Sequence, residues 1–251
     1  MLIALDKEQN RTIAYKADKK LQYFCQECGE QLSLRQGKIR RPHFAHKAGS
    51  NCEAAHCNKT EWHYEWQELF GLDYAERVIQ VAGIKHIADI LLGDTVVEFQ
   101  HSKISKEDVA ERNEFYRLHG LDVVWVFDCR KDCEDGTLYP YEKRPSYNWL
   151  FEWHKPNDSV LTAAFNSNVY LQVSENCLLE ITWYPNGYDE RKDNSWYSMK
   201  KFAANIMDKK HAIAKIKQLA NIDAKPQLIQ PDWMIDELID MARACCWLTS
   251  C

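Results

Sequence analysis

The sequence predicts an α+β protein with a small N-terminal metal-binding module, a core with the element order αβββαβ and a mixed C-terminal region. The first observation is a concentration of cysteine and histidine within residues 1–58. The second is that residues 59–130 change from helical to strand periodicity and back again, whereas residues 131–251 carry strand patterns followed by helical ones. We place the domain boundaries at residues 1–58, 59–130 and 131–251.

Composition limits the class of protein. A chain of 251 residues can bury one good core and a small satellite domain, and 45% hydrophobic residues exclude a disordered chain. No apolar run approaches the ~18 residues that span a bilayer, and the start of the chain is not typical of a secretory signal. Ten cysteines without such a signal indicate a reducing compartment. We therefore predict a cytoplasmic protein without membrane contact.

A metal motif lies near the N-terminus. Cys25 and Cys28 form a C-x-x-C knuckle, and His43, His46 and Cys52 follow in the next segment. Two thiolates and two ligands from a later segment make a tetrahedral zinc site. Because alternation along a strand puts His43 and His46 on opposite faces, one of them ligates, and we favour Cys25, Cys28, His46 and Cys52.

The alternative for this motif is a redox-active cysteine pair, but no thioredoxin-like βαβ pattern surrounds it. A structural zinc ion contributes on the order of 10–16 kcal/mol to the folding of small modules. That is more than a short module can obtain from its own core. The zinc ion is therefore predicted to be structural.

The same segment is basic. From Gln31 to Cys52 there is no acidic residue, although the net charge of the chain is −5. A basic strip on an acidic background offers a phosphate backbone one docking face. An ordinary solvated surface explains the strip equally well. The basic residues of this strip are Arg35, Lys38, Arg40, Arg41 and Lys47.

The core elements follow from periodicity and capping. A helix TEWHYEWQELF begins at Thr60, and strands ERVIQV, HIADILL and TVVEFQ follow. A second helix begins at Ser105, where Ser105 and Asp108 resemble a capping box, and it ends at Gly120. The strand LDVVWVFD is apolar on both faces, which predicts a central position in a sheet.

Polar side chains interrupt two of these apolar strands. Asp89 lies on one strand, and Glu98, Gln100 and Ser102 share a face of the next. If Asp89 and Glu98 meet, they form a hard oxygen site for Mg²⁺ or Mn²⁺, and Gln100 can orient a water or a phosphate oxygen. Such a metal activates water and neutralises the charge that develops during phosphodiester hydrolysis. The alternative is an edge strand whose polar face meets solvent.

Two separated motifs in the right order resemble a known family. The C-x-x-C knuckle and HFAH, followed by ADI, VVEFQHSKIS, ERNEFY and VVWVFD, are similar to the competence-protein CoiA-like nuclease family. This resemblance covers roughly residues 20–130 and implies a PD-(D/E)XK, or restriction-endonuclease-like, core. It implies that Asp89 and Glu98 bind the divalent metal. Gln100 stands where the signature has lysine, and it lacks that positive charge.

Three more residues are candidates. His63 lies where members of the family tend to carry a histidine, so the resemblance implies a base or a water-orienting group; the alternative is a capping or packing role. Arg112 shares a helical stripe with Val109 and Tyr116, so it pairs with a carboxylate of the site or contacts substrate phosphate. Ser102 is placed to bind a phosphate or to orient Gln100.

In the C-terminal region the sequence predicts the strands VLTAAF, VYLQVS and CLLEITWY, followed by amphipathic helices near residues 198–220 and 232–248. Its many aromatic residues fit core packing better than stacking on nucleic-acid bases. These aromatic residues are Trp149, Trp153, Trp183, Tyr184, Trp196 and Tyr197.

The resulting prediction is a zinc-stapled, divalent-metal-dependent DNA nuclease that acts on single- or double-stranded DNA in uptake, recombination or defence. Two alternatives stay open: an adaptor with a degenerate site that binds DNA or a partner protein, and an RNA-directed nuclease. The sequence leaves open a homo-oligomer and a recombination or defence partner.

Overall fold

The computed structural model describes residues 1–52, 59–81, 83–143, 149–183 and 201–222. The described chain divides into two compact units, Met1–Leu92 and the part that begins at Gly93. The fold is α+β, with mixed β-sheet and few helices.

Five short strands form an antiparallel sheet in the first unit, in the order β2-β1-β3-β4-β5. Tyr23 and Phe44 pack at its centre, with ring centroids 5.0 Å apart, and the buried Cys25 and Cys52 belong to the same small core. The strands are β1 (Ile3–Leu5), β2 (Arg11–Ile13), β3 (Tyr23–Phe24), β4 (Gln31–Arg35) and β5 (His43–Ala45).

The first unit continues with helix α1 (Glu61–Phe70) and the antiparallel strands β6 (Ala75–Val81) and β7 (Ile84–Leu92). Thr60 caps α1, as predicted, and the helix buries the aromatic face formed by Trp62, Trp66 and Phe70. The apolar spacing of the first predicted helix therefore sets the face that enters the core.

The sheet of the second unit contains the strands in the order β10-β11-β14-β13-β12-β9-β8. Strand β9 runs parallel to both β8 and β12 and is buried from Val123 to Phe127, which confirms a central strand. The remaining pairs are antiparallel. The strands are β8 (Thr95–Gln100), β9 (Asp122–Asp128), β10 (Leu138–Lys143), β11 (Trp149–Trp153), β12 (Asn168–Gln172), β13 (Cys177–Trp183) and β14 (Lys201–Asp208).

Helix α2 (Lys106–Leu118) lies between β8 and β9 in the chain. The Ser105 hydroxyl accepts a hydrogen bond from the Asp108 backbone N–H at 3.0 Å, so the predicted cap is present. Gly120 follows the helix with φ 68°, a left-handed conformation that glycine adopts without strain. The chain order from α1 to β9 is thus αβββαβ, as the sequence predicts.

Two C-terminal predictions are wrong. The segment VLTAAF belongs to helix α4 (Asp158–Asn166), because Asn157 caps it and the buried Val160 and Ala163 lie three residues apart on one face. Short helix α3 (Arg130–Glu134) precedes it in the chain.

The predicted helix at residues 198–220 is also divided. It splits into β14 and helix α5 (Lys209–Leu219), because Asp208 caps the helix there, its carboxylate accepting from the His211 N–H. The second predicted helix, residues 232–248, lies outside the described residues.

The C-terminal aromatic residues that the structure describes belong to the core. The side chains of Trp149 and Trp153 are buried, which supports packing over base stacking for both. The other four aromatic side chains of that prediction lie outside the described part. Among the described helices, none combines the length and the apolar character needed to cross a membrane.

Candidate functional site

Four potential metal ligands converge in the N-terminal module. Cys25, Cys28, His46 and Cys52 place one ligand atom each within 4.8 Å of one another. The Sγ atoms of Cys25 and Cys52 lie 3.8 Å apart, and Cys28 Sγ lies 3.4 Å from His46 Nε2. A tetrahedral site with Zn–S bonds of about 2.3 Å has an S–S edge of about 3.8 Å. The cluster therefore fits a zinc ion.

The local backbone supports thiolate ligands. The Glu27 N–H donates to Cys25 Sγ at 3.4 Å, and the Glu30 N–H donates to Cys28 Sγ at 3.5 Å. Burial raises the pKa of the Cys25 thiol, so a thiolate at this position needs a cation beside it. A zinc ion bound by the cluster would supply that cation.

His46 rather than His43 belongs to the cluster. The His43 Nδ1 atom lies 2.9 Å from the Arg41 carbonyl oxygen, which turns that ring toward its own backbone. Cys25, Cys28 and Cys52 are free thiols in the structure, as a metal site requires. The two predictions, His46 as ligand and a metal knuckle, are thus consistent with the geometry.

The knuckle is hydrogen-bonded to the β6–β7 hairpin of the same unit. The Gln26 amide donates to the Glu76 carbonyl oxygen at 3.1 Å, and Lys85 Nζ donates to the Glu27 carbonyl oxygen at 2.8 Å. The metal-binding loop is thereby fixed to the strands that carry the first candidate carboxylate.

That carboxylate, Asp89 on β7, is 6% exposed and has a cation and an amide as partners. Lys59 Nζ donates to Asp89 Oδ1 at 2.7 Å, and Gln67 Nε2 donates to the same oxygen at 3.2 Å. The side-chain oxygen of Gln67, Oε1, is buried and has no hydrogen-bond partner within the described structure. Carboxylate and amide oxygens are the types of donor that Mg²⁺ and Mn²⁺ prefer.

Glu76 completes this charge network. Its carboxylate accepts from the Leu2 and Ile3 N–H groups, each at 2.9 Å, and from Lys59 at 3.2 Å. Burial raises the pKa of Glu76, but Lys59 and the two backbone donors outweigh burial and hold it below its usual value. Lys59 therefore joins two buried carboxylates, and Glu76 ties β1 to this network.

Glu98 on β8 is the candidate carboxylate of the second unit and is 2% exposed. The Tyr116 hydroxyl donates to Oε1 at 2.6 Å, and Arg112 donates to Oε2 at 3.2 Å. The predicted stripe of α2 thus places Arg112 on a carboxylate. Both Glu98 oxygens are therefore hydrogen-bonded by side chains of α2.

Gln100 and Ser102 meet at the end of β8. The Gln100 amide donates to the Ser102 carbonyl oxygen at 2.6 Å and lies 3.5 Å from its hydroxyl. The side-chain nitrogen of Gln100, Nε2, is thereby hydrogen-bonded, so the side-chain group that Gln100 can offer to a ligand is the oxygen Oε1.

His63 takes part in the cap of α1. The Thr60 N–H donates to His63 Nδ1 at 3.2 Å, and the Thr60 hydroxyl lies 3.0 Å from the same nitrogen. A ring nitrogen that accepts from an N–H is unprotonated, which assigns the proton of the neutral ring to Nε2. His63 in this tautomer is a donor at Nε2.

The sequence patterns missed several members of these networks. Lys59, Glu76 and Gln67 join the Asp89 network, and His101 bonds Asp128 at 2.7 Å beside β9. Lys59 precedes a helix cap and Glu76 begins a strand, so neither has a local pattern that marks it. A buried carboxylate on β7 was the available signal, since such a group requires a cationic partner.

Comparisons with known proteins cover both candidate centres. The model of the competence protein CoiA N-terminal domain matches residues 5–55, and that of the CoiA nuclease-like domain matches residues 55–173. No match to the chain was found among curated proteins or among solved structures. The two matched stretches contain the cysteine cluster and every predicted site residue.

Proposed function

We propose that this chain, which belongs to the CoiA family of competence proteins and carries its nuclease-like domain, is a metal-dependent nuclease that hydrolyses phosphodiester bonds in DNA. The observation that supports the proposal is the Asp89 environment, where a buried carboxylate and the side-chain oxygen of Gln67, which has no partner among the described residues, offer two hard donors. Asp89 and Glu98, on consecutive strands of the nuclease-like domain, are the proposed ligands of Mg²⁺ or Mn²⁺.

A divalent ion would activate water and stabilise the charge that develops on the phosphoryl oxygens. In our proposal the protein supplies positions and protons around it. The Gln100 carbonyl oxygen accepts a hydrogen bond from the attacking water, and Ser102 holds the Gln100 amide in place. His63 orients water from Nε2. Arg112 pairs with Glu98 and holds its carboxylate in position.

Lys59 can replace the charge of the lysine that the D/E-X-K signature has at the position of Gln100. Gln100 has no charge, whereas the Lys59 ammonium lies 2.7 Å from Asp89 Oδ1. We propose that Lys59 supplies the positive charge of the site from the residue before the cap of α1. The site then keeps a cation although the signature position is neutral.

The competing proposal is a DNA- or partner-binding adaptor. The observation that favours it is the engagement of both Glu98 oxygens by Arg112 and Tyr116, which resembles a purely structural carboxylate. The two proposals share the fold and the zinc site and differ in whether the protein cleaves.

The test is cleavage of linear, circular and single-stranded DNA, and of RNA, with Mg²⁺ or Mn²⁺. We expect DNA cleavage that falls at least about a hundredfold in Glu98→Gln and in Asp89→Asn, because a lost metal ligand removes several kcal/mol of transition-state stabilisation. Glu114→Gln makes the same chemical change at an exposed residue of α2 and is the control.

Full cleavage in Glu98→Gln would remove the site assignment. A zinc-loaded wild-type protein that cleaves nothing supports the adaptor, and a preference for RNA supports the RNA-directed nuclease.

A further inference from the structure

We infer that a basic groove in the first unit binds the phosphate backbone of a nucleic acid and leads it toward Asp89. This inference deepens the proposed nuclease function and rests on it for the identity of the ligand. It assigns a binding role to the N-terminal module beyond the structural one predicted for its zinc ion.

The groove has a volume of about 800 Å³, and cationic side chains dominate its charged lining. Arg40, Arg41, Lys47 and Lys59 all line it, and Glu61 is the one acidic residue in the described lining. Glu61 is already paired with Arg41 at 2.5 Å. The groove therefore presents net positive charge on a chain whose overall charge is −5.

Two of the four cations, Arg41 and Lys59, already hold carboxylates; Lys59 pairs with Glu76 and Asp89. Arg41 is committed to the fold, because it pairs with Glu61 and with Glu68 at 2.8 Å and lies 5.3 Å from the centre of the Tyr64 ring. Arg40 and Lys47 are exposed, and neither has an ion-pair partner in the part of the chain that the structure describes. Two cations that hold no carboxylate are available to phosphates.

The position of the groove links these cations to the candidate metal sites. His46 of the cysteine cluster lines it, and so does Lys59, whose ammonium contacts Asp89 Oδ1 at 2.7 Å. A backbone that occupies the groove is thus bound beside the proposed metal carboxylate. Ile39, which is 99% exposed, adds an apolar side chain to the lining that a base can contact.

The alternative is that Arg40 and Lys47 are ordinary surface residues. Scattered surface cations are normally interspersed with acidic residues, whereas the segment from Gln31 to Cys52 has none. A segment without acidic residues that also forms one wall of a groove is typical of phosphate recognition.

The experiment is binding of labelled single-stranded and duplex DNA to the zinc-loaded full chain, without added Mg²⁺ or Mn²⁺, over a range of salt concentrations. The variants are Arg40→Ala/Lys47→Ala and, as a control with the same charge change, Lys16→Ala/Lys20→Ala, two exposed lysines that do not line the groove. Ala48→Glu, which adds an acid to the lining, is a second variant that removes no side-chain contact.

We expect roughly tenfold weaker binding in Arg40→Ala/Lys47→Ala, and a salt slope shallower by about 1.4 to 1.8, as two lost phosphate contacts require. Ala48→Glu should weaken binding, and the lysine control should keep the wild-type slope. Equal losses in the groove variant and the control, or no DNA binding by the wild-type chain, would overturn the inference. Because binding is measured without cleavage, an inactive but DNA-binding protein sinks the proposed nuclease and leaves the groove intact.

Discussion

The negative charge of the cysteine cluster and that of the strand carboxylates are compensated in different ways. In the N-terminal module, Cys25, Cys28, His46 and Cys52 face one another at distances that suit a zinc ion. On β7 and β8, Asp89 is paired with Lys59 and Glu98 with Arg112, so the protein supplies a cation to each carboxylate. We therefore expect the first site to need a metal ion in order to fold, whereas each carboxylate already has a cationic side chain as its partner.

The largest expected effect is loss of the zinc ion. We expect Cys28→Ser, or a chelator that removes zinc, to cost most of the module's stability, on the order of 10 kcal/mol, because the strands of the module are short and its hydrophobic core is small. Cys129→Ala, at a buried thiol outside the cluster, is the matched control and should keep one zinc per chain. Thermal unfolding followed by circular dichroism, with elemental analysis, measures both.

A metal-free protein that melts at the wild-type temperature would contradict the structural role of the cluster. Omission of Mg²⁺ should leave the melting temperature nearly unchanged. The same preparation thus distinguishes the structural cysteine cluster from the proposed catalytic carboxylates.

A smaller effect is expected when the protein's own cation is removed from the carboxylates. Lys59→Met leaves Glu76 and Asp89 buried without it, which should cost roughly 3–5 kcal/mol in the free energy of unfolding. Lys215→Met breaks the more exposed pair with Glu180 and should cost less than about 1 kcal/mol. Denaturant unfolding of both variants gives the comparison.

The stability cost of Lys59→Met is expected to depend on pH. The pKa of Glu76 is held below its usual value in the folded protein, so its contribution to stability is present above the unfolded pKa and is lost as the pH falls through the folded pKa. Without Lys59 the pKa of Glu76 rises, and protonation relieves the buried charge. The cost of Lys59→Met should therefore shrink as the pH is lowered from neutral, and Lys59→Met/Glu76→Gln should recover part of it at pH 7. A cost that does not change with pH would show that Lys59 acts by packing alone.

The two regions also differ in how far the sequence predicts them. The cysteine cluster depends on ligands within 28 residues, from Cys25 to Cys52. Spacing selected the cysteines and limited the remaining ligand to His43 or His46, of which we favour His46. The caps at Thr60 and Ser105 were likewise local patterns. The partner of Asp89 lies 30 residues away in the chain, and no periodicity connects Lys59 to it. Charge networks of this kind form by tertiary packing, which a single sequence does not display.

The wrong strand at VLTAAF has a local reason. Its small apolar residues satisfy both a strand and a helix pattern, and the Asn157 side chain, which accepts from the Ser159 N–H at 3.2 Å, decides for the helix. The same helical reasoning placed Arg112 on one stripe with Val109 and Tyr116, and Arg112 contacts Glu98 in the structure.

The smallest expected effect separates two roles of His63. Its Nδ1 atom accepts from the Thr60 N–H, as the N3 side chain of a capping box does, so His63→Ala should cost about 1 kcal/mol of stability. His63→Gln keeps an acceptor at N3 and should restore the melting temperature. It does not restore the Nε2 donor of the imidazole, so we expect DNA cleavage to stay lowered by about tenfold or more if that donor orients water. Cleavage rates and melting temperatures of the two variants, measured on zinc-loaded protein, decide between the roles. Full cleavage in His63→Gln would assign His63 to the helix cap alone and would leave the reaction to the carboxylates, Gln100 and Lys59.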